Sequence, residues 1–213
     1  MATLYYFHDP MCSWCWGYRP AAERLFASLP DGVTRTNILG GLAPDSDEPM
    51  PQEQREAIAS YWRRIEQMLG TEFNHDFWSK CEPRRSTYPA CRAVIAAAKQ
   101  DREEEMIEAI QRAYYLQAQN PSESQTLQEL AAQLGLDREI FIKDFQSSDT
   151  ESELQRQLKF TREAGVGGFP SLVLEKDGQL LPVNVDYRDH QLTLNEINRY
   201  LGFHSSRDAS ARI

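Results

Sequence analysis

Strand-forming sequence in this chain of 213 residues is confined to its two ends, and that distribution limits the folds open to it. Thr3 to His8 and Val33 to Leu39 are rich in β-branched, aromatic and aliphatic side chains, as is "SLVLEKDGQLLPV", residues 171–183. Between them, from about Pro51 to Phe145, apolar residues recur at helical spacing. Ile58, Tyr61, Trp62, Ile65, Met68 and Leu69 form one such face; Cys91, Val94, Ile95 and Ala98 another; Met106, Ile107, Ile110, Ala113 and Tyr114 a third; Leu127, Leu130, Ala131 and Leu134 a fourth. A sheet assembled from both ends must close around what lies between. The sequence therefore predicts an α/β fold carrying a large all-helical insertion, divided as 1–45, 46–148 and 149–213.

Local signals fill in this outline. Trp16, Leu25, Phe26 and Leu29 mark a helix from Cys15 to Leu29 that Pro20 is expected to kink, and Asp31-Gly32 turns the chain into its second strand. Strand, helix, strand is the opening of a parallel sheet. In the insertion, Asn120-Pro121 and Gly135 punctuate the helices, and Ser122 with Gln125 is read as a capping box. In the last third, Leu154, Leu158 and Thr161 share a helix face ending at Gly165, and Lys176-Asp177-Gly178 reverses the chain between antiparallel strands. Thr193 with Glu196 is read as the cap of a final helix through Leu194, Ile197 and Leu201, closed by Gly202; the polar tail after Phe203 is expected to fray.

Charge excludes some functions. With 23 basic against 32 acidic residues and a formal net charge of −9, the chain lacks the clustered cations that nucleic acid or anionic lipid requires. No signal-peptide pattern precedes the first cysteine and no stretch is apolar enough to span a bilayer, so the expected setting is the reducing cytoplasm. The four cysteines, Cys12, Cys15, Cys81 and Cys91, are then not expected to form a structural disulfide framework. A close pair there is catalytic or metal-binding.

Zinc needs four ligands, usually as two close pairs. Cys81 and Cys91 stand ten positions apart with Pro83 and Pro89 between them, and beyond His8 nothing completes the set, so no metal is expected. Redox chemistry fits better. A sulfur placed where a strand ends and a helix begins meets unpaired backbone N–H groups and the positive end of the helix dipole, which stabilise a negative charge. Cys12 is then the nucleophile, and Cys15, nearly a turn later and more buried, the thiol that resolves a mixed disulfide. No prosthetic group is implied.

The strand, "DPMCSWCWG", the helical stretch and "GVGGFPSLV" together resemble the DsbA-like thioredoxin superfamily, particularly its FrnE-type cytoplasmic branch, over essentially the full length. The resemblance implies a thioredoxin-like fold, Cys12 as nucleophile, Cys15 as resolving thiol, and a cis proline at Pro170 lying against the dithiol. It also implies that Ser13, Trp14, Gly168 and Phe169 meet the substrate. Ser13 stands where the family often has proline, and that dipeptide helps set the stability of the thiolate. "STYPACRA", Ser86 to Ala93, looks like the segment that in relatives starts an insertion helix facing the active site.

Around the motif, His8 is read as tuning Cys12 or as structural, and Asp9 as a turn former ahead of Pro10 in preference to a proton relay for Cys15. Trp14, between the cysteines, is the better candidate for a substrate groove than Trp16. Cys91 is read as a small core residue, with a Cys81–Cys91 disulfide disfavoured. His75, His190 and His204 have no visible partner, and the acidic run Asp101 to Glu105 reads as a solvated helix face.

The leading expectation is a thiol–disulfide oxidoreductase or isomerase whose partners are protein thiols or disulfides, glutathione, or a thioredoxin-type reductant. The alternative is a glutathione-dependent transferase or isomerase of the kappa-class or 2-hydroxychromene-2-carboxylate type, relatives with serine where Cys12 stands. A third reading is a non-enzymatic chaperone or interaction protein using the tryptophan-lined groove.

Overall fold

The structure is a computed structural model and describes residues 1–203; the tail after Phe203, with His204, lies outside the described residues. Along the chain come β1 (Ala2–His8), α1 (Ser13–Ala27) and β2 (Val33–Leu39), then α2 (Gln52–Leu69), α3 (Phe77–Lys80), α4 (Tyr88–Ala98), α5 (Glu103–Tyr115), α6 (Ser124–Gln133) and α7 (Arg138–Phe145). Then follow α8 (Ser148–Glu163), β3 (Ser171–Lys176), β4 (Gln179–Val183) and α9 (His190–Leu201).

The sheet order is β2-β1-β3-β4. β1 is thus interior, parallel to β2 with Tyr6 opposite Asn37 and His8 opposite Leu39, and antiparallel to β3 with Tyr6 opposite Leu172. An interior strand covered on both faces needs apolar residues at successive positions. "LYYF" supplies them: Leu4 and Tyr6 pack with Tyr18, Ala21 and Leu25 of α1 and Ile197 of α9, while Phe7 packs oppositely with Ile38, Val173 and Phe160 of α8. β3 and β4 are joined by Asp177 and Gly178, both at positive φ (51° and 76°), the two-residue turn whose twist suits a hairpin.

The helices from α2 to α7 share one core, in which Trp62 is fully buried, stacked on Phe73 at 5.0 Å and against Phe77 and Tyr115. α4 is buried on nearly every side and forms the middle of this layer. Its core is continuous with the sheet side through Met11 and Leu39, and with α8 through Leu154 and Leu158.

α1 runs as one helix through Pro20, which is exposed, with Gly17 resting on α2 and Tyr18, Ala21 and Leu25 buried in the core beneath. Two local expectations are corrected. Ser122 caps nothing: its hydroxyl donates to the Ser86 carbonyl at 2.7 Å, its N–H is taken by Asn120 Oδ1, and α6 begins two residues later. α9 starts at His190 with Asp189 as its cap, accepting from Gln191 N–H at 3.0 Å. Thr193 and Glu196 face inward instead and fasten the preceding loop, accepting from Asp186 N–H and Asn184 N–H.

The crossing of α1 over α2 is close because residue 17 lacks a side chain. A Cβ on Gly17 would come 2.8 Å from Ile65 Cγ2 and 3.1 Å from Leu69 Cδ1. Alanine gains roughly 0.5–1 kcal/mol of helix propensity over glycine, but overpacking a buried contact costs about 1–3 kcal/mol. Gly17→Ala is therefore expected to lower stability by about 1 kcal/mol, read as a lower urea midpoint with an unchanged m-value.

Candidate active site

The turn from β1 into α1 is made by Asp9. Its Oδ1 accepts from Met11 N–H at 2.8 Å and its carbonyl accepts from Cys12 N–H at 3.0 Å. Cys12 occupies the N-cap position with extended backbone (φ −85°, ψ 114°), and its carbonyl accepts the first helical bond, from Trp16 N–H. The Cys12 sulfur consequently sits at the tip of a helix of 15 residues.

Two groups converge on that sulfur. The Cys12 thiol donates to the Phe169 carbonyl at 3.5 Å, and the Cys15 thiol, three residues on in the first turn of α1, interacts electrostatically with the Cys12 side chain. The Phe169–Pro170 peptide bond is cis and Pro170 is buried. The loop is held close by Gly40, whose N–H donates to the His8 carbonyl at 2.7 Å and against which the Phe169 ring lies so tightly that a Cβ at residue 40 would overlap it.

Cys15 is fully buried, and burial, then the neighbouring Cys12 side chain, hold its thiol well above the usual range. On its inner side Tyr6 lines a cavity with it. The His8 ring stacks on Tyr6 at 4.9 Å and 6°, is 1% exposed, and has no hydrogen-bond partner for either nitrogen. Burial, aided by the Arg35 charge, pushes its pKa down to about 3, so the ring is neutral.

Asp9 is a bracing group. Besides Met11, its carboxylate accepts from Leu42 N–H and the Thr87 hydroxyl, each at 2.7 Å, and from the Cys91 thiol at 3.8 Å. Burial pushes its pKa up and these hydrogen bonds pull it down. Cys91 thus lies in the core yet touches the site. Cys81 is engaged elsewhere, donating to the Ala118 carbonyl at 3.0 Å. His75 pairs with Glu66 at 3.0 Å, and His190 bonds Gln191.

Of the remaining candidates, Trp14 is partly exposed beside the dithiol, with Tyr187 against its face and the Arg64 guanidinium 5.8 Å from its ring. Trp16 is packing, stacked on Tyr115 with its N–H on the Glu72 carbonyl. Ser13 is buried in the first turn, and the Gly168 carbonyl accepts from the Ser171 hydroxyl. No three His, Cys, Asp or Glu side chains among the described residues are grouped to hold a metal ion. Sequence reasoning missed Tyr6 and Gly40. Tyr6 had a signal, since strand residues two apart share a face and His8 was already a candidate; Gly40 had none, because its role depends on a ring 129 positions away (169 − 40).

The family model described as Thioredoxin matches residues 5–186. Among curated proteins, the chain is 25% identical over 202 residues to the ClpXP adapter protein SpxH of Bacillus subtilis, covering 91% of this chain and 67% of that one. It is also 25% identical over 180 residues to SpxH of Halalkalibacterium halodurans, covering 82% and 58%. Among solved structures, it superposes on a proposed protein disulfide isomerase from Nitrosomonas europaea with TM-score 0.83 and 27% identity, covering 96% and 99% of the two chains. The cytosolic disulfide reductase DsbM from Pseudomonas aeruginosa gives TM-score 0.76 and 26% identity, covering 95% and 100%. The fold is thioredoxin-like and of the DsbA kind.

Two measurements check this geometry. Gly40→Ala must displace the Phe169 ring and with it the carbonyl that meets Cys12, so exchange activity is expected to fall at least about tenfold, since small misplacements at a reacting centre are costly. His8 has a folded pKa near 3 against 6.5 for the free side chain. The unfolded chain therefore takes up the proton first, and stability is lost as pH falls from 6.5 towards 3. Relative to His8→Gln, the wild type is expected to lose roughly 1 kcal/mol per pH unit across that window, measured by urea unfolding.

Proposed function

This chain belongs to the thioredoxin family, and from that premise we propose that it is a thiol–disulfide oxidoreductase working through Cys12 and Cys15. The observation that carries the reading is the convergence on the Cys12 sulfur of the Cys15 thiol and the Phe169 carbonyl.

Cys12, as the thiolate, attacks one sulfur of a substrate disulfide R–S–S–R′; a Cys12–S–S–R bond forms and R′S⁻ leaves. Cys15 then loses its proton and attacks the Cys12 sulfur, expelling RS⁻ and closing the Cys12–Cys15 disulfide. Two electrons pass from the dithiol to the substrate; run backwards, the sequence oxidises a dithiol. The division of labour follows from the site. Burial keeps Cys15 protonated until it is needed, whereas Cys12 lies at the helix tip.

The backbone at Phe169 and Gly168, ahead of Pro170, is proposed as the edge on which a substrate chain lies, with Trp14 and its Arg64 and Tyr187 neighbours as the flanking wall. Ser13, buried in the first turn, serves by setting the spacing of the two sulfurs. Protein disulfides and glutathione disulfide are the proposed substrates, with glutathione or a thioredoxin-type reductant restoring the dithiol. The relationship to a cytosolic disulfide reductase supports the reducing direction and a cytoplasmic setting. Among the described residues no helix is long and apolar enough to cross a membrane.

The relationship to the ClpXP adapter proteins favours a second reading, adapter activity, in which the chain binds partners without exchange. The glutathione transferase or isomerase reading is weaker, because it places serine where this chain has a thiol with a second thiol three residues on. Cys12→Ser is expected to abolish insulin reduction with dithiothreitol and reduction of glutathione disulfide, and Cys15→Ser to accumulate a mixed disulfide on Cys12. Undiminished turnover by Cys12→Ser would end the oxidoreductase reading; partner binding that survives it would favour the adapter.

A further inference from the structure

We propose that the pocket behind Cys15 is the proton outlet of the resolving thiol, in which Tyr6 passes the proton on and His8 holds water to receive it. The proposal rests on the oxidoreductase reading above.

Resolution requires the Cys15 thiol to give up a proton. Asp9 is the nearest acidic residue in sequence, but its carboxylate oxygens, with about four lone-pair sites between them, already accept from Met11, Leu42, Thr87 and Cys91. Oδ2 takes three of these donors and Oδ1 one, so the carboxylate is largely committed to bracing the turn and α4. Cys15 also faces a second side.

That side is open. Cys15, Arg19 and Glu23 lie at four-residue intervals along α1 and line a cavity of about 50 Å³ facing Tyr6 and His8 of β1. The parallel register, Leu4 opposite Arg35 and Tyr6 opposite Asn37, brings Arg35 and Asn37 to the same face, and Glu104 of α5 closes the wall. The inner end is closed to bulk solvent, with Cys15 fully buried and His8 1% exposed. The outer end is wet: the Glu23 and Glu104 side chains are 60% and 54% exposed, paired to Arg19 and Arg35.

A cavity of this size accommodates water where polar partners are available. The His8 nitrogens supply them: both are buried and neither bonds to protein. A buried polar group without a partner costs free energy unless water satisfies it. With Cys15, Tyr6, His8 and Glu104 lining one cavity, the path runs from Cys15 S–H to the Tyr6 oxygen, from Tyr6 O–H to water held by His8, and from water to solvent or the Glu104 carboxylate. The sum is Cys15–SH + Cys12–S–S–R → Cys12–S–S–Cys15 + RS⁻ + H⁺, and the same route returns the proton on reduction. Burial leaves Tyr6 and Cys15 protonated and His8 neutral at rest, so the hydroxyl gives up one proton as it takes another and no buried charge persists.

The test mixes reduced protein rapidly with glutathione disulfide, which separates bimolecular attack by Cys12 from first-order resolution by Cys15. Tyr6→Phe is expected to slow resolution on the order of a hundredfold at neutral pH while leaving the attack constant unchanged. The deficit should shrink as pH rises and hydroxide reaches Cys15 directly. The groups charged or titrating around His8 are Tyr6, Cys15, Arg19, Glu23, Arg35 and Glu104, so the profile is compared between variants, not read from wild type alone. His8→Leu should slow the same step and His8→Gln, which still binds water, should restore part of it; this pair carries the test if Tyr6→Phe does not fold. Wild-type resolution in Tyr6→Phe and His8→Leu at every pH overturns the outlet, as does equal slowing of attack and resolution, the mark of a structural role. Absence of any reaction in the wild type sinks the oxidoreductase reading itself, and the outlet with it.

Discussion

The contact between the Cys12 thiol and the Phe169 carbonyl joins positions 157 residues apart, and it exists only because β1 is an interior strand. One neighbour of β1, β2, is reached through α1; the other, β3, comes from beyond the whole helical layer. Tyr6 pairs with Asn37 on one side and Leu172 on the other, so the end of β1 that launches Cys12 is level with the start of β3, where Pro170 enters the sheet. Ladder hydrogen bonds and side-chain alternation fix that level, because slipping by one residue would turn Leu4 and Tyr6 out of one core and Phe7 out of the other. Site geometry is thus a consequence of strand register.

The helical layer is part of the site, not an appendage to it. Asp9 is the bracket: its donors come from the turn itself, from Leu42 after β2, and from Thr87 and Cys91 at the start of α4. A carboxylate taken wholly out of water is tolerable only while its acceptor sites are filled. Loss of one donor leaves a partly uncompensated charge beneath the dithiol, which couples the packing of α4 to the position of Cys12. Trp16, stacked on Tyr115 of α5, fastens the same turn of α1 from the other side. Trp14 is flanked by Arg64 of α2 and by Tyr187, so both parts of the chain wall the approach to Cys12.

Much of this was legible in the sequence where the signal is local and periodic. β1, β2 and β3 follow from runs of β-branched and aromatic residues, the Asp177-Gly178 turn from its two-residue chemistry, and the dithiol and the glycine-rich proline loop from residue type alone. What was not legible depends on residues distant in sequence. Ser122 and Thr193 have the side chains of helix caps, but Ser86 and the Asn184–Asp186 loop claim them first, and a hydroxyl serves whichever backbone group tertiary structure brings nearest. Asp9 was correctly seen as a turn former; its remaining donors are set by the packing of α4 and could not be read from "HDP".

The two cysteines present opposite electrostatic problems, and the fold answers them on opposite sides of one helix turn. On the proposed mechanism Cys12 bears negative charge as nucleophile and leaving group, and it sits where backbone N–H groups and the helix dipole favour it, against the Phe169–Pro170 loop. On the same mechanism Cys15 stays uncharged until a mixed disulfide forms, and full burial favours that. Burial alone would trap the proton as firmly as it suppresses premature attack. A polar hollow lined by Tyr6 and His8 and ending at exposed carboxylates resolves that conflict: it admits proton traffic while leaving the thiol in a medium that disfavours thiolate. On this view the unpartnered imidazole is not a packing defect but the cost of keeping a polar cavity next to a thiol that has to be dry.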